Sequence, residues 1–131
     1  MTNAIIFDIH NTVLNKKGKV NKNIKELINI LSTDYFIYFY TADGNFNENE
    51  LFNNLSDIFY AKEKKALIFN PSIQMVNQFK NNDVDMKRVL IKRILKFADG
   101  ENANISFLID NNKKVLKMVK KEFKIKTLRY N

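Results

Sequence analysis

Asp8, Thr41 and Asp110 each follow directly after a short apolar segment of the sequence. Short segments that are apolar throughout are typical of buried parallel strands. Because parallel strands end at the same edge of a sheet, we expect two carboxylates and a hydroxyl to meet there. Carboxylates bind divalent cations and act as nucleophiles in some enzymes. An acid at a strand end also often caps the next helix, and each acid taken singly is open to that interpretation.

The elements that must position these residues alternate between strand and helix patterns along the 131 residues. Such alternation predicts a parallel sheet with helices on both faces. We predict one α/β domain over residues 1–131, a three-layer Rossmann-like fold with a mostly parallel sheet and no large cap domain. The predicted strands are 4–7, 35–40, 66–69, 105–109 and 125–128, and the predicted helices are 20–31, 47–55, 71–79, 86–97 and 113–122.

Several residues are candidates for helix starts. Asn21 and Asn23 are both suitable caps for the first helix, and Pro71 is well placed to open the third. Asp83 and Asp85 precede the fourth helix, and we expect this pair to cap it rather than to bind a metal.

Composition narrows the class of protein. The absence of cysteine excludes a disulfide scaffold and thiolate metal sites. No apolar run approaches the roughly 20 residues of a membrane span, so we expect a cytoplasmic protein with no membrane contact. The net charge of +8 favours anionic ligands. For the lysine-rich stretches 62–65 and 113–126, however, a solvated surface is the first interpretation and an anion-binding patch the second.

The order of these residues resembles the motifs of the haloacid dehalogenase-like (HAD) phosphohydrolase superfamily. Residues 8–12, Asp-Ile-His-Asn-Thr, are similar to its first motif, Asp-x-Asp-x-Thr. Thr41 matches the second motif, Lys87 the lysine of the third, and Asp110 the metal-binding acid of the fourth. The resemblance covers nearly the whole chain, and it is greatest to the compact phosphatase module of polynucleotide kinase-phosphatases and small viral phosphatases.

The resemblance implies Mg²⁺-dependent hydrolysis of phosphomonoesters through an aspartyl-phosphate intermediate. Asp8 is then the nucleophile, and the cofactor is Mg²⁺ held between Asp8 and Asp110. By the same analogy the backbone carbonyl of His10 is a third protein ligand. Asn111 stands where near relatives often have a second Asp, and its amide oxygen assists the metal with less charge.

Three further residues are expected to bind the substrate phosphate. Thr41 hydrogen-bonds a phosphoryl oxygen, and Lys87 neutralises charge on Asp8 and the phosphate. Asn11 stands where the family often has Gly. Because Asn tolerates left-handed backbone, the amides of its turn could still cradle the phosphate. Lys92 competes for the role of Lys87, but its place five residues later points it away from the strand edge.

His10 is the main departure from the family, whose phosphatases carry Asp at that position as the acid/base. Imidazole exchanges protons near neutral pH and can perform both steps. His10 is therefore either a replacement acid/base or the mark of a site that has lost turnover. The alternative function is a catalytically impaired HAD-fold module that binds phosphate or another protein. A receiver of the response-regulator type is disfavoured, because no acid pair precedes Asp8.

The expected site is open. About ten residues separate Thr12 from the next predicted helix, which leaves little room for a lid. Residues 16–19 are either a hairpin flap beside the site or a plain solvated turn. An open site with a lysine surface suits a phosphorylated small molecule, such as a nucleotide, or the phosphorylated end of a nucleic acid. The sequence does not assign an oligomeric state.

Overall fold

The computed structural model describes residues 2–61, 67–80 and 82–130, with side chains at all of these except Tyr60 and Ala61. Ala66 of the predicted third strand and the lysine-rich stretch 62–65 lie outside the described residues. Strands and helices alternate as the sequence predicts. In chain order they are β1 (Thr2–Asp8), α1 (Lys22–Leu31), β2 (Tyr35–Tyr40), α2 (Glu48–Ala61), β3 (Leu67–Phe69), α3 (Ile73–Gln78), α4 (Asp83–Gly100), β4 (Ala103–Asp110), α5 (Lys113–Glu122) and β5 (Lys126–Arg129).

The five strands form one sheet in the order β3-β2-β1-β4-β5, and every neighbouring pair is parallel. The predicted α/β class is confirmed. β1 lies at the centre, with β2 and β4 on either side. Asp8 ends β1 and pairs in register with Tyr40, the last residue of β2. The sheet order therefore brings the ends of β1, β2 and β4 side by side.

Helices cover both faces of the sheet, which completes the three layers. In the central strand, Ala4 and Ile6 pack against the buried residues of α4 and α5. Ile5 and Phe7 alternate with them and pack against α1 and α2. This alternation is the period of a strand that is buried on both sides. Even-numbered residues of β1 and β2 thus face α4.

A bulge in β4 decides which way Asp110 points. Ile105 pairs with Ala4, but the next pair is Phe107 with Ile5, so Ser106 has no partner on β1. The extra residue reverses the alternation beyond it. After the bulge Leu108 packs on the α4 side and Ile109 on the α1–α2 side. Asp110, one residue further, therefore faces α4 together with Asp8.

Some predicted boundaries are wrong at helix starts. α3 begins at Ile73, and its cap is the Ser72 side chain, which accepts from the Met75 amide; Pro71 precedes the cap. The predicted capping by Asp83 and Asp85 is also wrong, because Asn82 caps α4 and both acids lie in its first turn. Asn and Asp cap equally well, so the sequence does not distinguish neighbouring candidates.

Other cap candidates are settled by direct contacts. Asn21 rather than Asn23 caps α1, and its side chain accepts from the Asn23 and Ile24 amides. In the described part of the chain, no helix has the length and apolar character needed to cross a membrane.

Candidate functional site

A cleft of about 380 Å³ opens at the carboxyl ends of the central strands. It is lined by residues from the ends of β1 and β2, the first turn of α4 and the segment before α5. These are Asp8, His10, Asn11, Thr41, Ala42, Asp43, Asp83, Lys87, Asn111 and Asn112. Six of the seven predicted site residues line this cleft, and the seventh, Asp110, is fully buried and hydrogen-bonded to Lys87.

Lys87 connects the two acidic strand ends. It lies in the second turn of α4, which crosses the sheet edge, and it is only 5% exposed. Its Nζ atom is 3.0 Å from Asp8 Oδ1 and 2.9 Å from Asp110 Oδ2. Burial lowers the pKa of Lys87, but the two carboxylates outweigh burial and raise it, so the ammonium stays charged. Lys92, the competing lysine, is exposed and makes no contact with either acid in the described structure.

Asp8 is buried. Among the described residues, the only ammonium beside it is that of Lys87, which also contacts Asp110. Its Oδ2 atom also accepts a hydrogen bond of 3.0 Å from the Thr12 hydroxyl. Burial raises the pKa of Asp8 to about 7; Lys87 opposes this rise and Asp110 adds to it. One ammonium does not fully compensate two buried carboxylates, so this position accommodates a further positive charge.

Asp110 is held at both oxygens. Oδ2 accepts hydrogen bonds from Lys87 and from the Tyr40 hydroxyl, the latter at 2.5 Å. Oδ1 accepts from the backbone amide of Asn112 at 3.0 Å. Burial, with Asp110 nearby, raises the pKa of Tyr40 well above its ordinary value, so the phenol is a neutral donor.

Thr41 and Asn11 occupy the walls of the cleft. The Thr41 oxygen accepts from the Asp43 amide at 3.2 Å. No acceptor among the described residues takes its hydroxyl proton, which can therefore donate to a ligand. Asn11 has the expected left-handed backbone, with φ of 62°. Its amide, however, donates to the carbonyl of Leu14 at 2.7 Å. The expected amide cradle is therefore not preformed at Asn11, whose side chain is exposed.

His10 stands at the mouth of the cleft, with its side chain 43% exposed. Its Nε2 atom lies 3.3 Å from Asp43 Oδ2, and its ring meets the Phe46 ring edge-on at 5.4 Å. The contact with Asp43 is an ion pair when the imidazole is protonated. Nε2 itself is shielded from solvent, and no described residue is aligned to hydrogen-bond it. The imidazole is thus steered by Asp43 without being fixed.

The hairpin interpretation of residues 16–19 agrees with the structure. Leu14 and Val20 form an antiparallel bridge, and the Asn15 amide donates to the Lys19 carbonyl at 2.8 Å. Gly18, with φ of +75°, closes the turn in a conformation that side chains rarely adopt. Lys16 lines a shallow extension of the cleft beside His10.

The oxygen donors at the cleft determine whether a metal fits. In residues 2–61, 67–80 and 82–130, no group of three His, Cys, Asp or Glu side chains could hold a metal ion. The donors that the resemblance implies are the carboxylates of Asp8 and Asp110, the His10 carbonyl and the Asn111 amide. Asp8, His10 and Asn111 line the cleft, and Asp110 is buried beneath it. These are hard oxygen donors of the kind Mg²⁺ takes, with water completing its shell. The donor chemistry and the uncompensated charge at Asp8 both fit Mg²⁺.

Three residues in or beneath the cleft are not among the predicted site residues. Tyr40 is predicted only as part of a strand, and Thr12 only as part of the first motif. For Asp43, which lies close to Thr41, the sequence favours a turn over contact with substrate. Asp43 does form a turn, because its Oδ1 atom accepts from the Asn45 amide, and its Oδ2 atom faces His10. The available signal for Tyr40 was its place directly before Thr41, level with Asp8 in a parallel sheet.

Comparison with known proteins supports the fold. No protein family model matches the chain, and no curated protein matches it in sequence. Among solved structures, it is similar to a chain in the structure of the Pnkp1/Rnl/Hen1 complex, with a TM-score of 0.71 and 14% sequence identity. The match covers all of this chain and 46% of that chain. At this identity the likeness is one of fold: the protein shares a three-layer α/β architecture with part of a chain of that complex.

Proposed function

We propose that this protein is a HAD-like, Mg²⁺-dependent phosphomonoesterase that acts through an aspartyl-phosphate intermediate. The observation that carries the proposal is the buried cluster in which Lys87 joins Asp8 and Asp110 at the floor of the cleft. Thr41 lines the same cleft with a free hydroxyl proton. A nucleophilic carboxylate, a fixed cation, a second acid and a hydroxyl donor are the groups that phosphoryl transfer to an acid needs.

In the first step a carboxylate oxygen of Asp8 attacks phosphorus and the ester P–O bond breaks. The leaving oxygen takes a proton from His10. In the second step water attacks the phosphorus of the acyl phosphate and gives its proton to His10. Inorganic phosphate leaves, and the Asp8 carboxylate is restored.

The other residues act on charge. Lys87 offsets negative charge on Asp8 and on the phosphoryl oxygens, and Thr41 donates to one of those oxygens. Asp8, Asp110, the His10 carbonyl and Asn111 would hold Mg²⁺. This cation supplies positive charge that favours ionised Asp8 and reduces its repulsion of the phosphate.

For the substrate we propose a nucleotide or the phosphorylated end of a nucleic acid. The cleft is open, the net charge is +8, and Lys16 lies beside His10. The similarity in fold to a chain of the Pnkp1/Rnl/Hen1 complex is in keeping with this substrate class. A partner in such an assembly is a further element of the proposal.

A panel of phosphate esters, including nucleotides and 5′- and 3′-phosphorylated oligonucleotides, tests this function. We expect phosphate release with Mg²⁺, none with a chelator, and none from the Asp8→Asn variant. Asp99→Asn, an exposed change at the far end of α4, is the matched control and should retain activity. Chelator-resistant release, or full activity in Asp8→Asn, contradicts the proposal.

A catalytically impaired phosphate-binding module is the second candidate, and the position of His10 favours it. Imidazole stands where the family has Asp, and Nε2 is shielded and unaligned with an acceptor. If the enzyme is active, His10→Ala should lower the rate on the order of 10²–10⁴-fold. If wild type is inactive and His10→Asp gains Mg²⁺-dependent activity, the impaired module is the correct interpretation.

A further inference from the structure

Tyr40 is a buried polar side chain that the proposed reaction does not use. It ends β2 and is fully buried on the α4 face of the sheet. A large aromatic residue at such a place needs no explanation beyond packing. Its hydroxyl, however, lies 2.5 Å from Asp110 Oδ2, and its ring centre lies 4.9 Å from the Lys87 ammonium. The same side chain thus contacts both an acid and the cation of the cluster.

Tyr38 is a comparison residue whose contacts are explained by packing alone. It lies two residues earlier on the same strand and the same face, and it is also buried. Its ring packs edge-on against Phe69 and Phe97. Among the described residues, no side chain of the cleft hydrogen-bonds to it. The contacts of Tyr40 are therefore specific to its place beside Asp110.

We propose that Tyr40 is a positioning residue that fixes the orientation of the Asp110 carboxylate and supports the Lys87 ammonium. A carboxylate has about four lone-pair sites, two on each oxygen. The Tyr40 hydroxyl and the Lys87 ammonium occupy those of Oδ2, whereas the Asn112 amide is the one donor to Oδ1 among the described residues. Tyr40 thereby selects Oδ1 as the atom of Asp110 that still accepts a further donor or a cation.

The ring of Tyr40 acts on the second member of the cluster. An ammonium over an aromatic face is attracted by the ring, and more strongly where water is excluded. Lys87 is 5% exposed, so little water reaches its ammonium. Among the described residues, its charged partners are the two carboxylates. The ring and the hydroxyl together hold the acid and the ammonium in one fixed arrangement before any ligand binds.

The test compares Tyr40→Phe with Tyr38→Phe, two identical deletions of a hydroxyl on one strand face. The first readout is the ¹⁵N signal of the Lys87 ammonium, measured by NMR on the protein without metal or substrate. We expect this signal to shift and to exchange with solvent faster in Tyr40→Phe, and to stay at its wild-type position in Tyr38→Phe. Identical signals in all three proteins overturn the proposal.

The second readout is Mg²⁺ affinity by calorimetry, and this part rests on the proposed function. Loss of a partner that orients a metal ligand typically weakens binding about 10–100-fold, and we expect a loss in that range for Tyr40→Phe alone. If wild type binds no Mg²⁺, the proposed function fails, while the ammonium signal still decides the role of Tyr40. Equal Mg²⁺ affinity in the two variants counts against positioning.

A third measurement keeps the Tyr40 hydroxyl and changes its acceptor, Asp110, instead. In wild type the Tyr40 hydroxyl proton should exchange slowly and resonate downfield, because it is buried and bonded to a carboxylate. In Asp110→Asn that resonance should move upfield. An unchanged resonance in Asp110→Asn means that Tyr40 does not hold Asp110, and the proposal is overturned.

Discussion

Two regions of the site contrast. The floor is the buried cluster of Asp8, Tyr40, Lys87 and Asp110 at and beneath the base of the cleft, and the rim is His10 and Asp43 in its wall, with Phe46 packed against the His10 ring. On the floor every charged group is buried and hydrogen-bonded, and the four side chains come from four different elements. On the rim His10 and Asp43 are 43% and 41% exposed, and their contact of 3.3 Å is not aligned as a hydrogen bond. Both regions contain an acid beside a basic group, but only the floor makes a buried ion pair.

The difference follows from desolvation. A buried charge without a partner costs several kcal/mol, so each member of the floor depends on the others. An exposed pair is worth about 0–1 kcal/mol, so either member of the rim can change with little effect on stability. His10, the residue at which the sequence departs from the motif it resembles, lies on the rim. Removing a member of the floor should therefore affect the fold and the proposed reaction together, whereas removing a member of the rim should affect the proposed reaction alone.

Removing the Lys87 ammonium from the floor should have the largest effect on stability and activity. Lys87→Met keeps the length of the side chain but leaves two buried carboxylates without their shared partner. We expect a loss of about 3–5 kcal/mol in the free energy of unfolding, measured with urea, and no phosphatase activity. Lys92→Met, an exposed change on the same helix, should cost less than about 0.5 kcal/mol. Equal costs for the two variants mean that the floor is not a coupled unit.

A second effect should appear in the pH dependence of stability without added divalent cation. The pKa of Asp8 is raised from 3.8 to about 7 in the folded protein. Between these values the unfolded chain releases the proton while the folded protein keeps it, so this contribution to stability is lost as the pH rises. Relative to Asp8→Asn, wild type should lose up to about 1.4 kcal/mol per pH unit across that window.

Urea unfolding of both proteins at several pH values from 4 to 8 measures this difference. Above about pH 7 the difference should become constant. Asp34→Asn, a change at an exposed carboxylate, should follow wild type throughout. Parallel curves for wild type and Asp8→Asn would contradict the raised pKa and, with it, the incomplete compensation by Lys87.

The smallest effect should come from the rim. Asp43→Ala removes the partner of His10 but leaves the floor intact. Because an exposed pair contributes about 0.2–1 kcal/mol, we expect the rate to fall by no more than about fivefold and stability to change by less than about 1 kcal/mol. Initial rates on the preferred ester and urea unfolding measure the two quantities. If Asp43→Ala lost as much stability or activity as Lys87→Met, the distinction between rim and floor would be wrong.

The parts of the site that the sequence predicts are those fixed by local pattern. Asp8 and Thr41 follow strands that are apolar or aromatic throughout, and Lys87 follows a helix start, so their placement depends on few contacts. The role of Tyr40 depends on the register of β2 against β1 and on the side to which Asp110 turns. Both are long-range properties that a strand pattern does not contain.

Two smaller differences separate the prediction from the structure. The Asn11 amide donates to Leu14, a contact that depends on how the hairpin over residues 14–20 folds back. At α4 the prediction assigns the cap to Asp83 and Asp85, whereas Asn82, an equally suitable residue type one position earlier, caps the helix. In each case the residue types are compatible with several local structures.

The bulge at Ser106 separates the length of β4 from the side to which Asp110 turns. Ile105 and Phe107 pair with the adjacent residues Ala4 and Ile5, so deleting Ser106 would leave a regular strand in which Asp110 still faces α4. Deleting a residue between Phe107 and Asp110 would instead turn Asp110 toward the apolar side of α1 and α2. A one-residue deletion should therefore be far more damaging beyond the bulge than at the bulge, because only the former interchanges the two faces of the strand at the point where it enters the cleft.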